Sequence, residues 1–140
     1  MSILIGRNAK VVVGSATIAE LSEWSLNQEA PLLTAEVFGT THTKVGGVGL
    51  ISAAGSVSGF QASDDTTGQD IIEAAVQNST SNATFKLYVD ATNYYTSDTT
   101  TDSDATCYFS NWSITVVSQE INKISFDYQF SGPIHKTDGL

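Results

Sequence analysis

The sequence predicts a mainly β fold: an antiparallel β-sandwich with one short α-helix and a long interface loop or hairpin. Three observations carry that reading. Hydroxyl side chains crowd the chain, with 17 Ser and 17 Thr among 140 residues, and Thr favours strands over helix interiors. Several segments alternate apolar and polar residues with a period of two, the spacing at which strand side chains change face. One stretch alone, 68–77, has helical spacing instead.

In chain order, residues 1–9 form an N-terminal arm, and the short β-branched run Lys10–Val13 opens the sheet. Trp24 and Leu26 alternate with Glu23, Ser25 and Asn27, a second strand with one polar face. Residues 30–49 carry Leu32, Leu33, Val37 and Phe38 outside any alternating pattern, then Gly46-Gly47-Val48-Gly49. A long apolar excursion of this kind in a compact domain points to a partner surface. Residues 50–60 read as a strand thinned by Gly55 and Gly59, where neighbouring backbone comes close.

A helix is expected over 66–78. Thr66 would be the N-cap and Gln69 its reciprocal partner at N3, a capping box. Asp70 and Glu73 would sit near the positive end of the dipole, with Ile71, Ile72, Ala75 and Val76 on the docking face. Phe85, Leu87 and Val89 alternate with Lys86, Tyr88 and Asp90 in a further strand. The polar, acidic stretch 94–104 reads as a solvated excursion. Trp112, Ile114 and Val116, the link Ser118-Gln119-Glu120, and Ile124, Phe126, Tyr128 and Phe130 together predict an antiparallel hairpin. Residues 133–140 make a C-terminal tail, and 1–140 is expected to be one domain.

Composition narrows the function. A chain of this length buries roughly two-thirds of its unfolded surface and needs no metal or disulfide to hold a core. Cys107 is the one cysteine, so no intramolecular disulfide forms. No apolar run approaches the ~20 residues that span a bilayer, and the opening MSILIGRNAK is too short in apolar residues for a signal peptide. With 15 acidic and 6 basic residues the net charge is −9, which argues against phosphate binding.

Catalytic and metal motifs are weak. Asp98, Asp102 and Asp104 can offer oxygens to a hard cation, but their spacing is not an EF-hand loop. His42 and His135 stand without a second ligand at metal spacing. No G-x-S-x-G elbow is present, the glycine cluster lacks the Lys-Ser/Thr of a phosphate loop, and Cys107 reads as a small core hydrophobe. Three matches to the glycosylation sequon stand at Asn78, Asn82 and Asn111; a Ser/Thr-rich chain produces one or two by chance, and without a secretory signal they are discounted. The residues therefore predict no enzyme, no cofactor and no metal.

The order of elements resembles the tail tube (major tail) protein of long-tailed bacteriophages. The likeness is carried by the opening IGRNAKVVVGSATIAELSEWSLNQEAP, the excursion TAEVFGTTHTK, GSVSGF leading into GQDIIEAAVQ, and the exit Ser131-Gly132-Pro133-Ile134. It implies a virion structural protein, assembled in the host cytoplasm, that polymerises as stacked hexameric rings into a tube conducting DNA. Its partners would be itself and other tail proteins such as the tape measure, terminator and distal tail protein. DNA would pass without specific binding, and no membrane would be involved. On that reading Leu32, Leu33, Val37 and Phe38 belong to the subunit interface. Glu23, Ser25, Asn27, Asp127 and Gln129 are candidate lumen-lining residues on a polar sheet face. The alternatives are a monomeric carbohydrate-binding or adhesive β-sandwich, with Tyr94 and Tyr95 open to stack on sugars and Trp24 and Trp112 better read as core, or a capsid decoration or minor tail protein.

Overall fold

The computed structural model describes residues 6–35, 44–48 and 51–137. A 3-10 turn, Gly6–Asn8, precedes β1 (Lys10–Val13), β2 (Ala16–Thr17), β3 (Leu21–Trp24), β4 (Asn27–Glu29), β5 (Leu32–Ala35), β6 (Lys44–Val48) and β7 (Ser52–Phe60). The helix α1 (Gln69–Asn78) follows, then β8 (Lys86–Tyr88), β9 (Tyr94–Ser97), β10 (Thr106–Thr115), β11 (Lys123–Ser131) and β12 (Ile134–Lys136). Two antiparallel sheets result. One runs β12-β9-β8-β1-β2, and the other runs β10-β11-β7-β3, with β4 continuing along β7 beyond β3. Among the described residues β5 and β6 pair with each other in a separate two-stranded ribbon. The mainly β architecture with one helix is the one the alternation predicts.

β11 supplies the centre of the core. Ile124, Phe126, Tyr128 and Phe130 are buried, while Lys123 before them and Gln129 among them are exposed. The register sets each inward residue against a small one on β7: Ile124 opposite Gly59, Phe126 opposite Val57, Tyr128 opposite Gly55, Phe130 opposite Ala53. Phe85 reaches in just before β8, its ring 4.9 Å from Phe109 in an edge-on contact and 5.3 Å from Tyr128. Val11, Val13 and Leu87 close the same cluster from the other sheet. Cys107 is buried among them as expected of a small hydrophobe, and burial pushes its thiol far up.

β10 and β11 form the predicted hairpin, but β10 is not continuous. The register shifts between Ser110 and Ser113, where Asn111 adopts a positive φ of 56°, a conformation Asn tolerates better than most residues. This bulge explains why Cys107 and Phe109 point inward at odd positions and Trp112 at an even one. Trp112 stacks on Phe126 at 5.9 Å. Ile114 lies opposite buried Ile124 yet is exposed, and Val116 falls beyond the strand. The predicted inward series Trp112-Ile114-Val116 thus holds only at its first residue.

Two other expectations are corrected. The stretch 94–104 is not wholly a solvated excursion, because Tyr94–Ser97 is β9, paired between β8 and β12 with Ser97 buried. Only 98–104 is loop, and Asp98 folds it by accepting hydrogen bonds from the Thr101 N–H (3.1 Å) and hydroxyl (2.7 Å). Likewise the C-terminal tail is strand over Ile134–Lys136.

The helix starts later than a capping box requires. Gly68 is the N-cap residue and no side chain caps it, so Thr66 does not play that part. Gln69 is instead the first helical residue and is buried. Its Nε2 donates to the Ala19 and Phe60 carbonyls at 2.9 and 2.8 Å, and its Oε1 accepts from Ala62 N–H at 2.9 Å. Asp65 Oδ2 accepts from the Ala19 and Gln69 N–H groups at 2.9 and 3.0 Å. The amide that looked like a cap is a clamp joining the helix start to the end of β7 and the turn before β3. Ser79, at φ 54°, ends the helix in the left-handed conformation, with Thr80 N–H bonded back to the Ala75 carbonyl at 3.0 Å.

On the docking face Ile72 and Ala75 are buried and Val76 is half-buried, but Ile71 is 43% exposed. Adjacent helical residues are about 100° apart, so the two isoleucines cannot both face the core. Ile72→Ala is therefore expected to cost about 2–4 kcal/mol, whereas Ile71→Ala should cost under ~1 kcal/mol. Urea unfolding of both variants checks the pair, and equal losses would contradict this docking.

Candidate lumen face and assembly surfaces

The five residues predicted to share a polar face are brought onto one face. Asp127 lies between Ser56 of β7 and Ser110 of β10, and Gln129 between Ala54 and Tyr108. Across β7, Glu23 pairs with Ser58 and Asn27 with Ala54. Ser25 bridges β3 and β4, its Oγ 3.3 Å from the Ser56 hydroxyl. These positions alternate with buried core residues, so they form the outer face of the β10-β11-β7-β3 sheet. The surface is mostly hydroxyl and amide. Its charges are Glu23, Glu29 and Asp127 against Lys123, and two of the acids are held by amides: Asn27 Nδ2 donates to Glu29 Oε1 at 3.0 Å and Asn111 Nδ2 to Asp127 Oδ2 at 2.7 Å.

A glycine fixes the edge of this face. The Tyr128 hydroxyl reaches across β7 and donates to the Ser25 carbonyl, so the break between β3 and β4 is tied to the centre of the core. The path runs over Gly55, where a Cβ would overlap the Ser25 carbonyl and stand 2.6 Å from the Tyr128 oxygen. Burial pushes the phenol well above its ordinary range, which keeps it a donor. The alternation of β11 marks Tyr128 as core, but nothing in the sequence announces its partner 103 positions away.

The other sheet presents a different outer surface. Lys10 Nζ lies 4.6 Å over the Tyr88 ring and Lys86 Nζ 4.8 Å over the Tyr94 ring, with the two rings 4.9 Å apart. Tyr94, left open by the sequence, is thus engaged by a cation and a neighbouring ring. Tyr95, Trp24 and Trp112 pack against the core, and Trp24 Nε1 donates to the Tyr88 carbonyl at 3.2 Å. The two sheets carry opposite charge bias on their outer faces.

The excursion 30–49 proves to be a two-stranded ribbon where it is described, with Leu32 opposite Val48 and Ala35 opposite Lys44. Leu32 and Leu33 are 60% and 59% exposed. Val37 and Phe38 lie outside the described residues. A further apolar cluster, which the alternation assigned partly to strand, sits on the β10–β11 turn: Val116 is 68% and Ile121 69% exposed. Three aliphatics bracketing a turn were its signal in the sequence.

Among the described residues the candidate metal-ligating and catalytic side chains are not brought together. Asp102 accepts from Asp104 N–H at 2.9 Å, and hydrogen bonds from Thr101 hold the Asp98 carboxyl below its ordinary range. Among the described residues no three His, Cys, Asp or Glu side chains gather in a potential metal site. His135 lies on β12 opposite Thr96, and His42 is outside the described residues. The single helix is ten residues long, and no described helix is long and apolar enough to cross a membrane.

No protein-family profile matches the chain, and no curated protein matches its sequence. Solved structures do match its fold. A chain from the virion of a native gene transfer agent particle superposes with a TM-score of 0.78 at 13% identity, over 96% of this chain and 99% of that one. A chain from the tail of an empty gene transfer agent particle, refined helically with C6 symmetry, has the same TM-score at 12% identity and the same coverage. The SPP1 tail tube subunit matches at 0.66 and 16% identity, over 96% of this chain and 79% of that chain. This chain has the tail-tube fold. The resemblance to tail tube proteins agrees with these neighbours.

The close approach at Gly55 is expected to make Gly55→Ala cost about 1–3 kcal/mol through overpacking. Glu23→Gln, on the outer face of the same sheet, should stay within about 0.5 kcal/mol of the parent. Chemical denaturation curves for the two variants check the contrast.

Proposed function

We propose that the protein is a structural subunit of a phage-type tail tube, polymerising as stacked sixfold rings around a channel for DNA. One observation supports this best: the fold matches over 96% of this chain and 99% of a chain from a helical, C6-symmetric tail. The reading places it in the virion tail after assembly in the host cytoplasm. It assigns no catalysis, since the proposed role is built from surfaces alone. The tape measure, terminator and distal tail protein are its proposed heterologous partners, through the ends of the tube.

The outer face bearing Glu23, Ser25, Asn27, Asp127 and Gln129 is the proposed lumen wall. A surface of hydroxyls with a small acidic excess, Glu23, Glu29 and Asp127 against Lys123, repels phosphate weakly and offers no cluster of cations for a backbone to settle on, so DNA slides past. The Lys10–Tyr88–Tyr94–Lys86 face would retard it and is assigned away from the channel. Ring closure and stacking both require head-to-tail contacts. The ribbon with Leu32 and Leu33, extended by Val37 and Phe38, is the proposed arm for them, because a lone subunit leaves its leucines in water.

Electron microscopy of the purified full chain tests the role: tubes built of sixfold rings are expected, and a chain that stays monomeric at every concentration overturns it. Replacing 32–48 with a short Gly-Ser link should leave a cooperatively folding monomer that forms no tubes. Tubes of normal length from that variant would remove the arm's role. A tube map with the Lys10–Tyr88 face lining the channel would overturn the lumen assignment.

A further inference from the structure

The described residues expose two aliphatic clusters, and the register of the larger sheet places them at opposite ends. Leu32 and Leu33 follow β4, whose Glu29 pairs with Ser52, so they lie at the same end of the sheet as exposed Ile51, where β7 begins. Val116, Val117 and Ile121 gather on the β10–β11 turn. β7 and β11 are antiparallel with Phe60 opposite Lys123 and Ala53 opposite Phe130, so the turn lies at the far end of β7 from Ile51. Gln61 and Asn122 fasten that end, with the Gln61 N–H donating to the Asn122 carbonyl at 3.0 Å and Asn122 Nδ2 to Gln61 Oε1 at 2.9 Å. Nine strand residues at ~3.3 Å each hold the clusters roughly 30 Å apart, and a paired sheet cannot fold them together.

Among the described residues each cluster is therefore left largely exposed, without an apolar partner from the other end of the sheet. Two different patches at opposite ends of one rigid element suit a head-to-tail contact, in which one end of a copy meets the other end of the next. A two-fold contact of either patch with itself would leave the other in water. The nearest strand charges are opposite in sign: Glu29 adjoins the leucines, while Lys123 stands at the base of the turn, whose tip carries Glu120. We infer that the β10–β11 turn is the receiving surface for the β5–β6 ribbon of an adjacent copy, Leu32 and Leu33 packing on Val116, Val117 and Ile121. The inference rests on the tail-tube reading and adds to it the identity of the acceptor.

The test uses the full chain carrying Leu33→Cys and Val116→Cys, assembled and then mildly oxidised. Cys107 is buried with its thiol held protonated, so it stays out of the exchange. A ladder of covalent multimers is expected from the double variant, a single dimer band from mixing the two single variants, and monomer from either alone. Intact tubes without a ladder would overturn the acceptor and leave the tube standing, as would dimers from Leu33→Cys alone. If the double variant does not assemble, charge reversal decides: Glu29→Lys should raise the concentration needed for tubes, and Lys123→Glu added to it should lower that concentration again. No rescue overturns the inference. A parent chain that never assembles would fail the tail-tube reading itself.

Discussion

Along the β7–β11 ladder every inward residue of β11 faces a smaller one: Phe130 against Ala53, Tyr128 against Gly55, Phe126 against Val57, Ile124 against Gly59. Directly opposed residues of an antiparallel pair share a face at about 5 Å, so two large side chains there would crowd. The small partners let the β11 side chains lie across β7 and rise toward Phe85, where four of the sandwich's aromatic contacts meet. The same economy of volume lets β3 and β4 approach β7 from the other side. A Cβ at Gly59 would stand 2.6 Å from Leu21 Cα. Large-against-small packing in one ladder thus sets the spacing of all its neighbours.

That ladder also decides what the opposite face can be. With the inward positions of β11 and β7 committed to volume, the outward ones are free to be chemically plain, and apart from the Lys123–Phe60 pair at one end they are Ser, Ala, Asp and Gln. A plain face is cheap in stability but not neutral in charge: its acids outnumber its lysine, whereas lysines lie over tyrosine rings on the other sheet. Strand alternation turns one buried pattern into a paired exposed one, so core and proposed channel wall are two readings of the same residues.

Legibility in the sequence follows the range of the forces involved. β11, the hairpin, the helix and Cys107 were readable because period and burial are local patterns. The bulge at Asn111 was not, since a one-residue insertion is visible only against a partner strand. Gln69 was misassigned because a capping role is inferred from spacing alone, while its real partners, Ala19 and Phe60, are 50 and 9 residues distant. Ile71 and Ile72 were both given to the core because periodicity cannot choose between neighbours without the opposing surface. The stretch 94–104 looked solvated because its seven loop residues outweigh the β9 strand in composition. For the candidate surfaces, the shared face of Glu23, Ser25, Asn27, Asp127 and Gln129 was legible from alternation, whereas the apolar turn at Val116 and Ile121 was hidden inside what looked like core pattern.

The placement of the exposed aliphatics separates folding from assembly. Phe85, Phe126 and Tyr128 satisfy one another within a single chain, so the subunit needs no neighbour to close its core. The leucines of β5 and the aliphatics of the β10–β11 turn contribute little to that closure, because water still reaches them. In the proposed tube their burial would come on contact with another copy, where each square ångström removed from water contributes about 25 cal/mol before the cost of immobilisation. A subunit arranged this way folds first and joins second, and an ordered tube requires that sequence of events: a core that depended on the neighbour would expose Phe and Tyr in every unassembled copy, and those would associate without register. On the proposed contact, patches as far apart as Leu32–Leu33 and Val116–Ile121, at the two ends of the β7–β11 ladder, would favour association in a single direction.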